Sequence, residues 1–199
     1  MSTESQTRPY RKRRRAEQEA DTRRRITEAA VDLHGSVGPA RTTVSSVAER
    51  AGVQRATVYR HFPDEESLFA ACSSHWAALN PPPDPSAWAE IADPEARLRR
   101  ALAELYAWYE RNEGMLENTS RDLPLVPAMR EAAEEFGRFY GVAAEALLRG
   151  RPERGARRRQ ARAAIGHALA FDTWRSLVRA QGLGPDEAVE LIAGLVAAA

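Results

Sequence analysis

From Asp21 onward the chain acquires a helical period: Ile26, Ala29, Ala30 and Leu33 fall at i, i+3, i+4 and i+7, a spacing that lines one side of an α-helix with apolar groups. Gly35, Gly38 and Pro39 end that segment. Thr42-Thr43 then offers an N-cap to a second helix, whose apolar side is Val44, Val47, Ala48 and Ala51. Gly52 supplies the left-handed conformation that a tight turn demands. The next stretch, QRATVYRHF, sets Val58 and Phe62 four residues apart among polar and basic neighbours and stops at Pro63. Asp64 caps a fourth helix, with Leu68, Phe69, Cys72 and Trp76 on its apolar side. Residues 1–20, which include RPYRKRRR, lack such a period and read as a disordered basic arm.

NPPPDP, residues 80–85, interrupts the pattern with four prolines, which no helix interior accommodates. Beyond it Asp93-Pro94 is a cap followed by a first-turn proline, leading into Leu98, Ala101, Leu102, Leu105, Trp108 and Tyr109, with Gly114 as the expected stop. A less regular stretch, 115–127, holds Pro124 and Pro127, and three further helices are expected near 128–149, 154–181 and 185–197. No segment alternates with period two. The expectation is an all-α fold of about nine helices: a three-helix head within residues 21–80 and a larger helical bundle over 81–199.

Charge sharpens this division. Residues 1–62 hold 13 Arg or Lys against 7 Asp or Glu, and residues 63–199 hold 16 against 21, although the whole chain carries a net charge of only +1. One end is therefore suited to an anionic partner. A single cysteine, Cys72, excludes an intrachain disulfide and a CxxC metal site. No signal-peptide core is visible, and no run approaches the about 18–20 apolar residues of a membrane span, so a cytoplasmic protein without membrane contact is expected. The sequence has no HExxH, nucleophile elbow or glycine-rich phosphate loop. It predicts no enzyme, no metal and no cofactor.

Two short helices joined by a glycine-containing turn form a helix-turn-helix, whose second helix enters the major groove. TVSSVAERAGVQRATVYRHF has that punctuation. With its flanks, TRRRITEAAVDLHGSVGPARTTVSSVAERAGVQRATVYRHFPDEESLFAA resembles the DNA-binding domain of the TetR family of bacterial transcriptional regulators over about fifty residues, the V-Y-x-H-F ending included. The resemblance implies a homodimer, a ligand-sensing C-terminal domain with an unknown small-molecule effector, and recognition helices on a palindromic operator. It places DNA contacts at Thr43, Ser45, Arg55, Ala56, Thr57, Tyr59, Arg60 and His61. One position departs: Glu65 stands where the family usually has a phosphate-binding lysine, between Asp64 and Glu66.

Within that frame Arg55, early in its helix, suits guanine O6 and N7, and Thr57 and Tyr59 offer a methyl, a ring or hydroxyls. Arg60 and His61 are expected on the phosphate backbone. Arg8, Arg11, Lys12, Arg13, Arg14 and Arg15 are expected to follow an adjacent minor groove. Trp108, Phe139, His167, Phe171 and Trp174 are candidate effector-pocket residues, with plain core as the alternative. Ile165, Leu169, Leu177, Val189, Ile192 and Val196 are expected to supply the apolar surface of a dimer built from the last two helices. A second basic cluster, from Arg149 to Arg162, reads as an exposed loop leading into a helix. Two competing functions remain open at this level: a constitutive or architectural DNA binder without an effector, and a small-molecule-binding helical domain with an incidental basic end.

Overall fold

The computed structural model describes residues 7–198, with side chains from Tyr10 onward. Among these residues there are ten α-helices and no strand, so the fold is all-α. The chain divides into two compact units, one comprising the residues up to Leu79 together with Glu117–Arg130, the other Asn80–Leu116 together with Glu131–Ala199.

The first unit contains α1 (Thr7–Ser36), a 3-10 turn (Pro39–Arg41), α2 (Val44–Ala51), α3 (Arg55–His61) and α4 (Glu65–Leu79). Its core joins Ile26, Ala29, Ala30 and Leu33 of α1 to Val47, Ala48 and Ala51 of α2, Val58 and Phe62 at α3, and Leu68 and Cys72 of α4. The apolar periods therefore point inward as their spacing requires. Residues 117–130 also belong here: they comprise the C-terminal end of α6 (Pro94–Asp122) and a 3-10 turn at Pro127–Met129. Asn118 Nδ2 donates to the carbonyls of His34 and Gly35 at 3.2 and 2.8 Å, serving the otherwise orphaned C-terminus of α1. Asp122 accepts from the Ala40 amide at 3.0 Å, below Gly38, whose φ of 97° favours glycine.

The second unit contains α5 (Pro85–Ala89), α6 as far as Leu116, α7 (Arg130–Leu148), α8 (Gly155–Leu169), α9 (Phe171–Arg175) with a π turn at Ser176–Ala180, and α10 (Pro185–Ala197). Leu98, Leu102, Leu105, Trp108, Leu147, Ile165, Leu169 and Ile192 are buried in it. Arg97, 2% exposed, donates to the carbonyls of Ile91, Ala92, Ala146 and Arg149, tying the start of α6 to the end of α7.

Several expectations need correction. The arm is helical from Thr7 rather than disordered over 1–20, because no glycine or proline separates Tyr10 from His34 and Arg13–Glu17 and Arg15–Glu19 pair at i, i+4. Pro9 falls in the first turn, where its missing N–H forfeits no intrahelical bond. The expectation for residues 1–6 and for the Arg8 side chain lies outside the described residues. Gly114 does not stop α6, which continues to Asp122; the docking of Asn118 and Asp122 outweighs the about 1 kcal/mol that glycine costs in a helix. The helix expected over 154–181 is broken at Ala170, which adopts an extended conformation. There the last carbonyls of α8 find other donors: Thr173 Oγ1 to His167 at 2.6 Å, Tyr106 Oη to Ala168 at 2.9 Å, and Tyr109 Oη to Leu169.

Candidate nucleic-acid interface

The α2–turn–α3 unit is set by local chemistry at each end. Thr43 is the N-cap of α2: its Oγ1 accepts from the Ser46 amide at 3.1 Å, and Ser46 Oγ accepts from the Thr43 amide at 3.0 Å. Gly52 closes α2 in the left-handed region, at φ 65° and ψ 39°. Arg25 of α1 donates to the carbonyls of Ala51 and Gly52 at this end. Arg23, two residues earlier in α1, donates to the carbonyl of His61 at 2.6 Å and lays its guanidinium over the Phe62 ring at 4.0 Å. Two arginines of α1 thus secure the C-terminal ends of α2 and α3, where the helix dipole favours cations.

This anchoring leaves α3 two-sided. Val58 is 1% and Phe62 2% exposed, whereas Tyr59 is 48% exposed. Arg55, Ala56 and Arg60 are also exposed, as are Thr43 and Ser45 at the start of α2, and Thr57 is half-buried. Among the described residues no carboxylate lies within ion-pair distance of Arg55 or Arg60. The outward face therefore presents two unneutralised guanidiniums, a phenol and small hydroxyl side chains, with no large apolar group besides the Tyr59 ring.

His61 departs from this arrangement. Its ring is half-buried and its Nε2 is covered without a hydrogen-bond partner. Burial, then the charges of Arg60 and Arg23, holds its pKa below the ordinary histidine value. The covered Nε2 is not placed to hold phosphate in this arrangement.

On α1 the side chains of Arg11, Lys12, Arg13, Arg14 and Arg15 are all exposed, but they project from a helix rather than an extended arm. Arg13 and Arg15 are engaged by Glu17 and Glu19 at 3.4 and 3.2 Å. Asp64 Oδ1 accepts from the Ser67 amide at 2.7 Å, capping α4, and this hydrogen bond holds its carboxyl below the usual range. Glu65 sits exposed in the first turn of α4, where an acid suits the dipole and repels phosphate.

In the second unit, four of the five expected pocket residues lie within one aromatic cluster. Trp108 stacks on Phe136 at 5.8 Å, Phe136 meets Phe139 at 6.1 Å, and Phe171 meets Tyr109 and Trp174 at 5.4 Å each. Tyr109 gives its hydroxyl proton to Leu169, so Tyr140, 2.8 Å away, donates to Tyr109. His167 is not among them: its side chain is exposed, neither lining the cluster nor buried as a core histidine, because it leaves α8 on the outer side. The residues expected to form a dimer surface are also placed differently. Ile165, Leu169, Val189, Ile192 and Val196 are buried in the chain's own core, and Leu177 is half-buried. The residues that α8 and α10 leave outside include Ala163, Gly166 and His167 on one helix and Leu191, Gly194 and Leu195 on the other, both at i, i+3, i+4.

Sequence reasoning missed Arg23, Arg25 and Asn118, whose acceptors are distant in the chain, and Arg97, which joins the nearby carbonyls of Ile91 and Ala92 to the distant ones of Ala146 and Arg149. A signal for the first two existed only in the family resemblance, where TRRRITEAA begins the matching stretch.

Comparison with known proteins bears on the same region. Residues 26–72 match the bacterial regulatory proteins of the tetR family. Over 61 residues the chain is 46% identical to an uncharacterized HTH-type transcriptional regulator of Mycobacterium bovis, covering 30% of this chain and 32% of that protein. The alignment therefore spans about a third of that relative's length. A TetR-like transcriptional regulator from Rhodococcus sp. RHA1 superposes with a TM-score of 0.61 at 20% identity, covering 88% of this chain and 93% of that one. NalD, the secondary repressor of the MexAB-OprM multidrug efflux pump in Pseudomonas aeruginosa, does so with a TM-score of 0.59 at 22% identity, over 92% and 96%. At such identities these two structures speak to the fold.

Proposed function

We propose, for a chain whose residues 26–72 match the bacterial regulatory proteins of the tetR family, a sequence-specific transcriptional repressor that binds duplex DNA as a homodimer and releases it when a small molecule occupies its C-terminal helices. The observation that carries this reading is the two-sidedness of α3: Val58 and Phe62 are buried to within 1–2% exposure while Arg55, Tyr59 and Arg60 face outward. In this reading Arg55 pairs with guanine O6 and N7, a contact worth about 1–3 kcal/mol of discrimination. Tyr59 and Thr57 meet thymine methyls or phosphates. Arg60, nearer the C-terminal end of α3, holds the backbone, as do Thr43 and Ser45 at the start of α2 and the cations of α1.

Two such helices reading two half-sites require a two-fold partner, and an inverted-repeat operator mirrors that symmetry. The exposed stripes of α8 and α10 suit this role. Gly166 and Gly194 have no neighbour within 4 Å of an added Cβ, so their smallness serves no packing inside the chain and is available for close helix approach. The aromatic cluster around Trp108, Phe171 and Trp174 is the candidate effector site. An effector acts there only if it binds the DNA-free arrangement more tightly than the DNA-bound one.

Salt-titrated binding to promoter duplex tests the reading. Phosphate contacts impose a linear fall of log K with log salt, with a slope of about −0.9 for each phosphate neutralised. A helical domain with an incidental basic end would bind no operator at physiological salt. A constitutive or architectural binder would hold random duplex as tightly as any selected sequence.

A further inference from the structure

The turn between α7 and α8 holds a cleft of about 380 Å³ lined by Arg149, Arg151, Arg154 and Arg158, with Leu148 and Pro152 as apolar walls. The cluster is not the simple exposed loop its sequence suggests, because Arg151 is buried, its side chain only 4% exposed. That guanidinium is held by the Leu147 carbonyl through Nε at 3.3 Å and stands 3.0 Å from Glu95 through Nη2. Its Nη1 lies 4.0 Å from Glu153, so the guanidinium is ion-paired, although the buried Nη2 meets no acceptor in hydrogen-bond geometry. Arg151 thus serves as a fixed, paired cation in the wall, and the donors open to a ligand are those of its neighbours.

The surroundings reinforce this. Among the described residues no carboxylate lies within ion-pair distance of Arg149, Arg154 or Arg158. Arg154 Nη1 clasps the carbonyls of Arg151, Pro152 and Glu153 at 3.2, 2.9 and 3.0 Å, which fixes the turn. It occupies the N-cap of the 15-residue α8 without providing a side-chain cap, so the positive end of that helix adds to the field. Glu95 and Glu153 oppose it, but neither lines the cleft. Burial, then the charges of Arg149 and Arg151, lowers the pKa of the neighbouring Arg97.

We propose that this cleft binds a small oligophosphate, an anion carrying two or more phosphoryl groups. Planar guanidinium forks match phosphoryl oxygens in pairs. The volume exceeds what one phosphate fills, and the lining offers no aromatic ring on which a base would stack, so the phosphates themselves are what is recognised. The inference stands apart from the DNA-binding reading, and each can fail without the other.

Calorimetric titration of the full chain with inorganic pyrophosphate, with citrate as a carboxylate control, tests it. The expected result is one saturable site per chain for pyrophosphate and much weaker citrate binding. Arg149→Ala with Arg158→Ala should weaken pyrophosphate at least about tenfold. Both side chains reach solvent, so an unchanged melting temperature will show that the fold is intact. Arg55→Ala with Arg60→Ala on α3 should leave the binding unchanged. Absence of saturation, citrate binding as tight as pyrophosphate, or loss of binding with the α3 pair instead of the cleft pair would each overturn the proposal.

Discussion

Phe62 ends α3 with its ring at 2% exposure and the Arg23 guanidinium 4.0 Å above it. Removing the ring empties a site the head cannot refill, so Phe62→Ala should cost about 3–5 kcal/mol in urea unfolding. Val58 and Phe62 were legible because an i, i+4 pair betrays its own face. Arg23 was not, because its acceptor lies 38 residues away at the His61 carbonyl. His34 makes a second prediction. It is 8% exposed, stacked 5.2 Å from Phe69, and burial pushes its pKa down to about 4, against a smaller upward pull from Asp122. With the folded pKa below the unfolded value of about 6.5, the unfolded chain binds more protons between those values. Stability is therefore fully present above pH about 6.5 and lost as pH falls toward about 4, by at most ~3 kcal/mol. Denaturation midpoints from pH 4.5 to 7 should show this slope, and His34→Gln should flatten it.

At the scale of elements, helix starts marked by a capping side chain were readable, whereas uncapped starts, such as that of α1, and helix ends were less so. Caps such as Thr43, Asp64 and Asp93 act within three residues, and all three accept from the amides expected: Ser46, Ser67 and Ala96. The ends depend on partners far along the chain. α6 passes Gly114 because Asn118 and Asp122 are held by residues near the end of α1. The break at Ala170 is sustained by Tyr106 and Tyr109 of α6, about sixty residues earlier, which take the carbonyls of Ala168 and Leu169. Tyr109→Phe removes a donor from a buried carbonyl and should cost about 1–3 kcal/mol by thermal unfolding. A cost within error would mean that the break is set by the Ala170 backbone alone.

At the scale of the molecule, the all-α class and the basic bias of the N-terminal end were plain from period and charge. The outward faces of α8 and α10 are not, because the apolar period that suggests a surface between chains is buried in the chain's own core. That correction yields a prediction for the proposed dimer. Leu191→Glu with Leu195→Glu, at positions 46% and 58% exposed, should leave the melting of the single chain nearly unchanged and convert the dimer to monomer in light scattering. Operator affinity should fall with it, since two half-sites are then no longer joined.

The central claim is that the outer face of α3 reads base sequence. Selection of bound duplexes from a random pool, run in parallel with the unaltered chain and with Arg55→Ala/Tyr59→Ala/Arg60→Ala, tests it most directly. The unaltered chain should enrich one inverted repeat, and the variant, folded as judged by its melting, should enrich none. Recovery of the same repeat by both proteins would contradict the account, because the reading surface would then lie elsewhere on the molecule.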